Sequence, residues 1–330
     1  MKFKYFLALF PIMFFSQKTT VIKFYDPIKD NTKTFRTLSV IDNREDKELG
    51  TITHKKETYR FEFPDNDAKK SIDDWFVSSN KTPSGANDMV VFLEDFRVFS
   101  EDVQNATLPK AEVKISSFVL KEGNYYYLDR INKVVNISPN VNKTPFGLSY
   151  TLSNLLHEFI KTSFKTKPSE LKIGGDQLAN YADIITSGLP AFKDTQIKDG
   201  VYPDYKSFFD NTPSEGYELV KNSKGEVVRA KKGDERIPAY KMFAYAENGK
   251  IYHHALSGFL ELMKDDKGFY VFTNYVTLFP VEADSTYGMF GLIGGVAGAI
   301  DANAKNKKLQ KEEKYNIYID PLTGDYILRK

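Results

Sequence analysis

Cysteine is absent from this 330-residue chain, tryptophan occurs once and histidine four times. No disulfide can form, so the hydrophobic cores must hold without covalent staples. The missing cysteine also excludes a lipid anchor attached at a signal-peptide cleavage site. Charge of one sign is lacking too. The 46 basic and 44 acidic residues leave a formal charge of +2, which gives no electrostatic reason to expect nucleic acid as a partner. No apolar run reaches the roughly 20 residues that a transmembrane helix needs. What the chain has in abundance is aromatic surface: 26 Phe and 20 Tyr, within an apolar fraction of 41%, suffice for real cores and argue against wholesale disorder. The length allows two domains of ordinary size.

The N-terminus reads MKFKYFLALFPIMFFSQ. Lys2 and Lys4 form a positive start, Tyr5 to Phe15 an apolar core, and Ser16 a small residue at the cut. That pattern predicts a signal peptide over residues 1–16 and export to the periplasm or cell surface.

The following stretch, 17–165, reads as an α+β unit. Phe35 to Ile41 predicts a strand ended by Asp42-Asn43, and TYRFEF at 58–63 alternates Tyr59, Phe61 and Phe63 against polar neighbours, the pattern of a half-buried strand. Asp67 is placed to cap a helix whose Ala68, Ile72, Trp75 and Phe76 share one face. Two long strands follow, from Met89 and from Ala111, and Glu122-Gly123-Asn124 turns the chain back through Tyr125 to Val135. The helix TLSNLLHEFIKTSF closes the unit with a stripe of Leu152, Leu155, Leu156, Phe159 and Ile160. The order predicts a sheet with helices on one face. Tyr125 and Tyr127 share one side of their strand. They are either packed against the Leu152 helix or exposed as a stripe for carbohydrate or protein.

With V-I-D-N-R-E-D at 40–46 and A-E-V-K-I-S-S-F-V-L-K-E-G-N-Y-Y-Y at 111–127, residues 34–165 resemble periplasmic auxiliary lipoproteins of ABC-transporter systems. Asp42 and Arg44 carry the short D-x-R stretch of that family, while the lipidated cysteine is missing. The resemblance implies a non-enzymatic envelope component, with no catalytic residues to carry over.

Residues 166–198 mix Lys, Pro, Gly and Asp and read as a linker with a short helix near Gln177 to Thr186. The second domain, 199–330, opens on DGVYPDYKSFFDNTPS. Here Gly200, Tyr202, Ser207, Phe208, Asn211, Pro213 and Ser214 resemble a motif, G-x-Y-x-x-[FY]-x-x-F-x-x-N-x-P, of uncharacterised secreted Bacteroidota proteins. Hairpin signals then recur, Asn248-Gly249 being the strongest, and predict an antiparallel meander or half-barrel.

Within it TYGMFGLIGGVAGAIDAN places Gly288, Gly291, Gly294, Gly295 and Gly298 among Phe290 and other apolar residues. A phosphate loop would need a Lys-Ser/Thr after the last glycine, and Gly298 is followed by Ala299-Ile300. The spacing instead predicts a glycine-rich helix, 287–312, used for close packing on its own fold, on another copy, or at a membrane surface.

Chemistry is harder to find. His157 precedes Glu158 without an HExxH pattern and faces away from the helix stripe, His253 and His254 point to opposite faces of one strand, and His54 stands in a polar loop. No metal site and no cofactor are expected. Ser116, Ser117 and Ser257 lack a nucleophile elbow. The sequence therefore points to an exported α+β envelope protein with a non-enzymatic binding or assembly role, whose partner is another envelope protein, itself or a membrane surface. A hydrolase built on a carboxylate pair that only the tertiary fold assembles, and a glycan- or lipid-binding module, are the alternatives.

Overall fold

In the computed structural model, residues 17–82, 85–103, 106–136, 144–278 and 313–327 are described. The expected signal peptide, 1–16, and the glycine-rich helix, 287–312, with Gly288, Gly291, Gly294, Gly295, Gly298 and Phe290, lie outside them.

The fold is α+β, dominated by strand. At the N-terminal end β1 (Lys18–Val21) pairs in parallel with β4 (Glu57–Glu62), and β4 pairs antiparallel with β3 (Thr51–His54); β2 (Phe35–Asp42) belongs to a larger sheet. That sheet runs through β5 (Asn87–Val103), β6 (Ala106–Lys121), β7 (Asn124–Asn136) and β8 (Lys172–Ile173) in the order β2-β5-β6-β7-β8. Only the β2–β5 pair is parallel. Glu122 and Gly123, with φ of 52° and 74°, form the tight turn of the β6–β7 hairpin. At Gly50 the small sheet meets the large one. Its φ is +92°, and a Cβ there would sit 2.4 Å from the Val98 carbonyl oxygen, so only glycine fits.

The apolar start of β5 is buried on both sides, as a continuous hydrophobic run requires: Met89 through Leu93 are all at most 2% exposed. On one face α1 (Ala68–Ser79) and α2 (Thr144–Ser163) cover Met89, Val91 and Leu93. Asp67 caps α1 by accepting from the Lys70 N–H at 2.9 Å, and Ile72, Trp75 and Phe76 point inward as their spacing predicts. Leu152, Leu156 and Ile160 of α2 are fully buried, each stabilising the fold by roughly 1.5–3 kcal/mol.

The opposite face exposes Val90, Phe92 and Phe118, and these need a cover. It comes from the stretch expected to be a connection. There β8 adds to the sheet edge, a 3₁₀ turn spans Gly175–Asn180, and α3 (Tyr181–Gly188) seats Tyr181 on Phe92 and Phe118 with α4 (Pro190–Lys193) following.

The rest is a strand meander. β9 (Gly200–Tyr202) precedes α5 (Tyr205–Phe209), and β10 (Glu218–Lys221), β11 (Val227–Lys232) and β12 (Glu235–Pro238) form a small antiparallel sheet. Then β13 (Ala244–Glu247), β14 (Lys250–Ala255), β15 (Gly258–Asp265), β16 (Gly268–Thr273), β17 (Tyr315–Ile319) and β18 (Tyr326–Ile327) pair successively, with β9 beyond β13 and α6 (Tyr275–Leu278) after β16. Asn248-Gly249, at φ of 54° and 76°, makes the expected turn. Phe208 and Phe209 of α5 fill the core against Phe269.

Candidate functional site

Three segments far apart in sequence build a groove. Thr19, Thr20, Val21, Lys23 and Tyr25 come from β1 and the chain beyond it; His54, Lys55, Glu57 and Tyr59 from the β3–β4 hairpin; Pro145, Phe146 and Ser149 from the start of α2. The volume is about 450 Å³, inside the roughly 300–1,000 Å³ range of small-molecule sites. Ser149 Oγ donates to the Val21 carbonyl at 2.9 Å and so ties the helix wall to the strand wall.

Chain alternation decides which rings face the groove. Ile22, Phe24 and Ile28 turn inward, where Phe24 stacks on Trp75 at 4.2 Å and the Trp75 Nε1–H donates to the Asp26 carbonyl. Tyr25 is thereby thrown outward, 45% exposed. Phe146 and Tyr150, one helical turn apart on α2, are 54% and 37% exposed. The three rings touch: Tyr25 lies 6.4 Å from Phe146 and 5.7 Å from Tyr150, and Phe146 is near-parallel to Tyr150 at 6.4 Å. Apolar rings that stay in water while clustering with each other contribute little to the fold, and such patches mark binding surfaces.

The groove's polar groups are of both kinds. Lys18 Nζ donates to both Glu57 oxygens at 2.7 Å, and the Tyr59 hydroxyl donates to the same carboxylate. The Lys18 hydrogen bond, then that of Tyr59, holds the Glu57 carboxyl below its ordinary range. His54 was expected in a polar loop. It is instead the last residue of β3, where alternation with Ile52 turns it inward to 6% exposure with Nε2 lacking a hydrogen-bond partner. Burial, reinforced by Lys55, lowers its pKa.

A second polar cluster lies between the sheets. The Asp320–Gly324 turn between β17 and β18 inserts Leu322 against Val90, Phe92 and Phe118. Beside it Arg130, 5% exposed along its side chain, meets Glu94 at 3.5 Å and Asp320 at 3.4 Å, while Lys133 binds both Asp325 oxygens at 2.7 and 2.8 Å. Glu94 also accepts from Ser116 at 2.8 Å and Tyr181 at 2.7 Å. Each of these carboxylates already faces a cation, and the groove does not reach them. The cluster is a fastening between the large sheet and the C-terminal hairpin. It is not an open acid pair.

Tyr125 and Tyr127 belong to that buried side. Tyr127 stacks on Tyr181 at 6.0 Å and Tyr125 meets Phe118 edge-on. They form neither an exposed stripe nor a layer on the Leu152 helix, because the 172–188 segment covers their face and Tyr126 is the tyrosine on the α2 side. Burial raises the Tyr127 and Tyr181 hydroxyls well above their ordinary pKa. His157, expected in solvent, is largely covered beside Trp75, with Nδ1 3.0 Å from Glu158. His253 is buried and His254 half-buried, as opposite faces require.

The two sequence motifs prove to be structural units. Asp42 and Arg44 form a two-pronged ion pair at 2.9 and 2.7 Å, with Arg44 buried and also donating to the Phe96 carbonyl. In the second motif, a Cβ on Gly200 would lie 2.7 Å from that of Pro213. The buried Asn211, at φ of 52°, accepts from the Lys198 N–H and donates to Asp194 and the Gln196 carbonyl, and Tyr202 bonds the Lys198 carbonyl. The G-x-Y…F…N-x-P spacing thus encodes a closed turn.

Among the described residues, no cluster of three or more His, Asp or Glu side chains is arranged to hold a metal ion, and no helix is long and apolar enough to cross a membrane. Comparison of the chain with known protein families, curated proteins and solved structures finds no significant match.

Proposed function

We propose that the chain is an exported cell-envelope protein with a non-enzymatic binding role, exercised at the groove between β1, the β3–β4 hairpin and α2. One observation carries the reading: Tyr25, Phe146 and Tyr150 cluster in water at the rim of a cleft whose wall carries hydroxyl, ammonium and carboxylate groups. The signal-like start of the sequence and the resemblance of residues 34–165 to envelope lipoproteins support the location. A non-enzymatic role is supported by the ion-paired state of the buried carboxylates Glu94, Asp320 and Asp325. The spacing of Gly291, Gly294, Gly295 and Gly298 supports a second contact through close packing or membrane-surface association.

The test is retention of purified protein by isolated envelope material. Wild type should be held and released unchanged, and Tyr25→Ala/Phe146→Ala should pass through with its fold intact. Equal retention of both would refute the groove, and conversion of the material into products would refute the non-enzymatic role.

A further inference from the structure

We infer that the ligand of this groove is a saccharide, an inference that rests on the binding role proposed above and names its chemistry. Three observations converge. The rim presents three exposed rings in mutual contact. The flat, C–H-rich face of a sugar ring lies well on the negative face of an aromatic ring, and it needs no apolar pocket to do so.

The wall carries donors and acceptors: the Thr19, Thr20 and Ser149 hydroxyls, the Lys23 and Lys55 ammonium groups, the Glu57 carboxylate and the Tyr59 phenol. Sugar hydroxyls each donate and accept, so they match a mixed wall, whereas an acyl chain offers it neither donor nor acceptor. Lys18 and Glu57 hold each other in one ion pair, and Lys23 and Lys55 line the groove beside that pair, so the wall carries both signs of charge. His54, 6% exposed, also lines the groove. A volume of about 450 Å³ sits toward the small end of ligand cavities and suits a ligand of one or two sugar rings.

The experiment is an aromatic NMR titration of the full mature chain with cellobiose, maltose and N,N′-diacetylchitobiose. At least one should shift the Tyr25, Phe146 and Tyr150 ring signals saturably, with a Kd of roughly 1 mM or tighter. Phe146→Ala and Tyr25→Ala should each weaken that binding about tenfold while the circular dichroism stays that of wild type. Silence from all three sugars at ~10 mM overturns the inference, since even a Kd of about 1 mM would be nearly saturated there. An extended Thr/Val peptide that shifts the β1 amides when the sugars do not would overturn the saccharide and leave the binding role standing. If the envelope-retention experiment also fails, the binding role falls with it.

Discussion

Arg130→Met removes the one cation shared by Glu94 and Asp320 while keeping most of the apolar stem. In the wild type the guanidinium lies 3.5 Å from Glu94, 3.4 Å from Asp320 and 5.7 Å from the centre of the Tyr181 ring. Burial works against its charge, and Tyr181, Asp320 and Glu94 together outweigh that and raise its pKa. After the substitution Glu94 keeps Lys114 at 3.2 Å as well as Ser116 and Tyr181. Asp320 is worse placed. Its side chain is 3% exposed and keeps only the Asn132 amide at 3.2 Å and the Leu322 N–H at 3.0 Å. An uncompensated buried charge costs about 3–5 kcal/mol, a large share of the roughly 5–15 kcal/mol that holds a folded domain. Urea unfolding followed by Trp75 fluorescence, the only tryptophan, and by far-UV circular dichroism measures it. Arg130→Met/Asp320→Asn should recover more than about 1 kcal/mol of the loss, the signature of two coupled groups. A single-variant cost below about 1 kcal/mol, or additive effects in the double variant, would refute the fastening.

Other outcomes follow from separate parts of the fold. His253, pushed down to about 4 by burial and, to a lesser degree, by His254, binds its proton later in the folded than in the unfolded chain. Its stabilising effect is whole above pH 6.5 and is lost as pH falls towards 4, about 3 kcal/mol in all. His253→Leu should flatten that part of the stability-against-pH curve, and an unchanged slope would count against the burial. Gly200→Ala should cost about 1–3 kcal/mol by forcing a Cβ into Pro213 at a φ of +142°, read as a lowered urea midpoint. Tyr25→Ala and Phe146→Ala should each move stability by no more than about 0.5 kcal/mol, because exposed rings hold the fold weakly; a larger loss would make them core residues. Gly295→Leu should alter stability or oligomeric state if the glycine spacing serves close packing, and normal values of both would dismiss that role.

Local chemistry made much of this architecture legible. Tyr59, Phe61 and Phe63 alternate, Asp67 caps, and Asn248-Gly249 turns, each because the signal resides in a few neighbouring residues. Long-range cover is different. The face taken by Tyr125 and Tyr127 depends on β8 and Tyr181, and a two-residue strand in a Lys- and Gly-rich stretch has no periodicity to reveal it. His54 was hidden for a local reason. Its strand ends in a Lys55-Lys56 turn with φ of 50° and 66°, positions where glycine or asparagine would have announced a hairpin. The T-I-T-H alternation was the available signal. The groove itself could not be read, because Tyr25, Glu57 and Phe146 are brought to it only by the parallel pairing of β1 with β4 and the seating of α2 on β1. The G-x-Y…N-x-P motif was visible, but its meaning was a turn.

Tyrosine footprinting of the purified chain and of the chain in its native envelope, read residue by residue, tests the groove most directly. Tyr25 and Tyr150 should react freely in the purified protein and be protected in the envelope, while Tyr240, 72% exposed and away from the groove, reacts alike in both. Equal modification of Tyr25 and Tyr150 in the two preparations would show the rings uncovered in place and contradict a binding role at this groove.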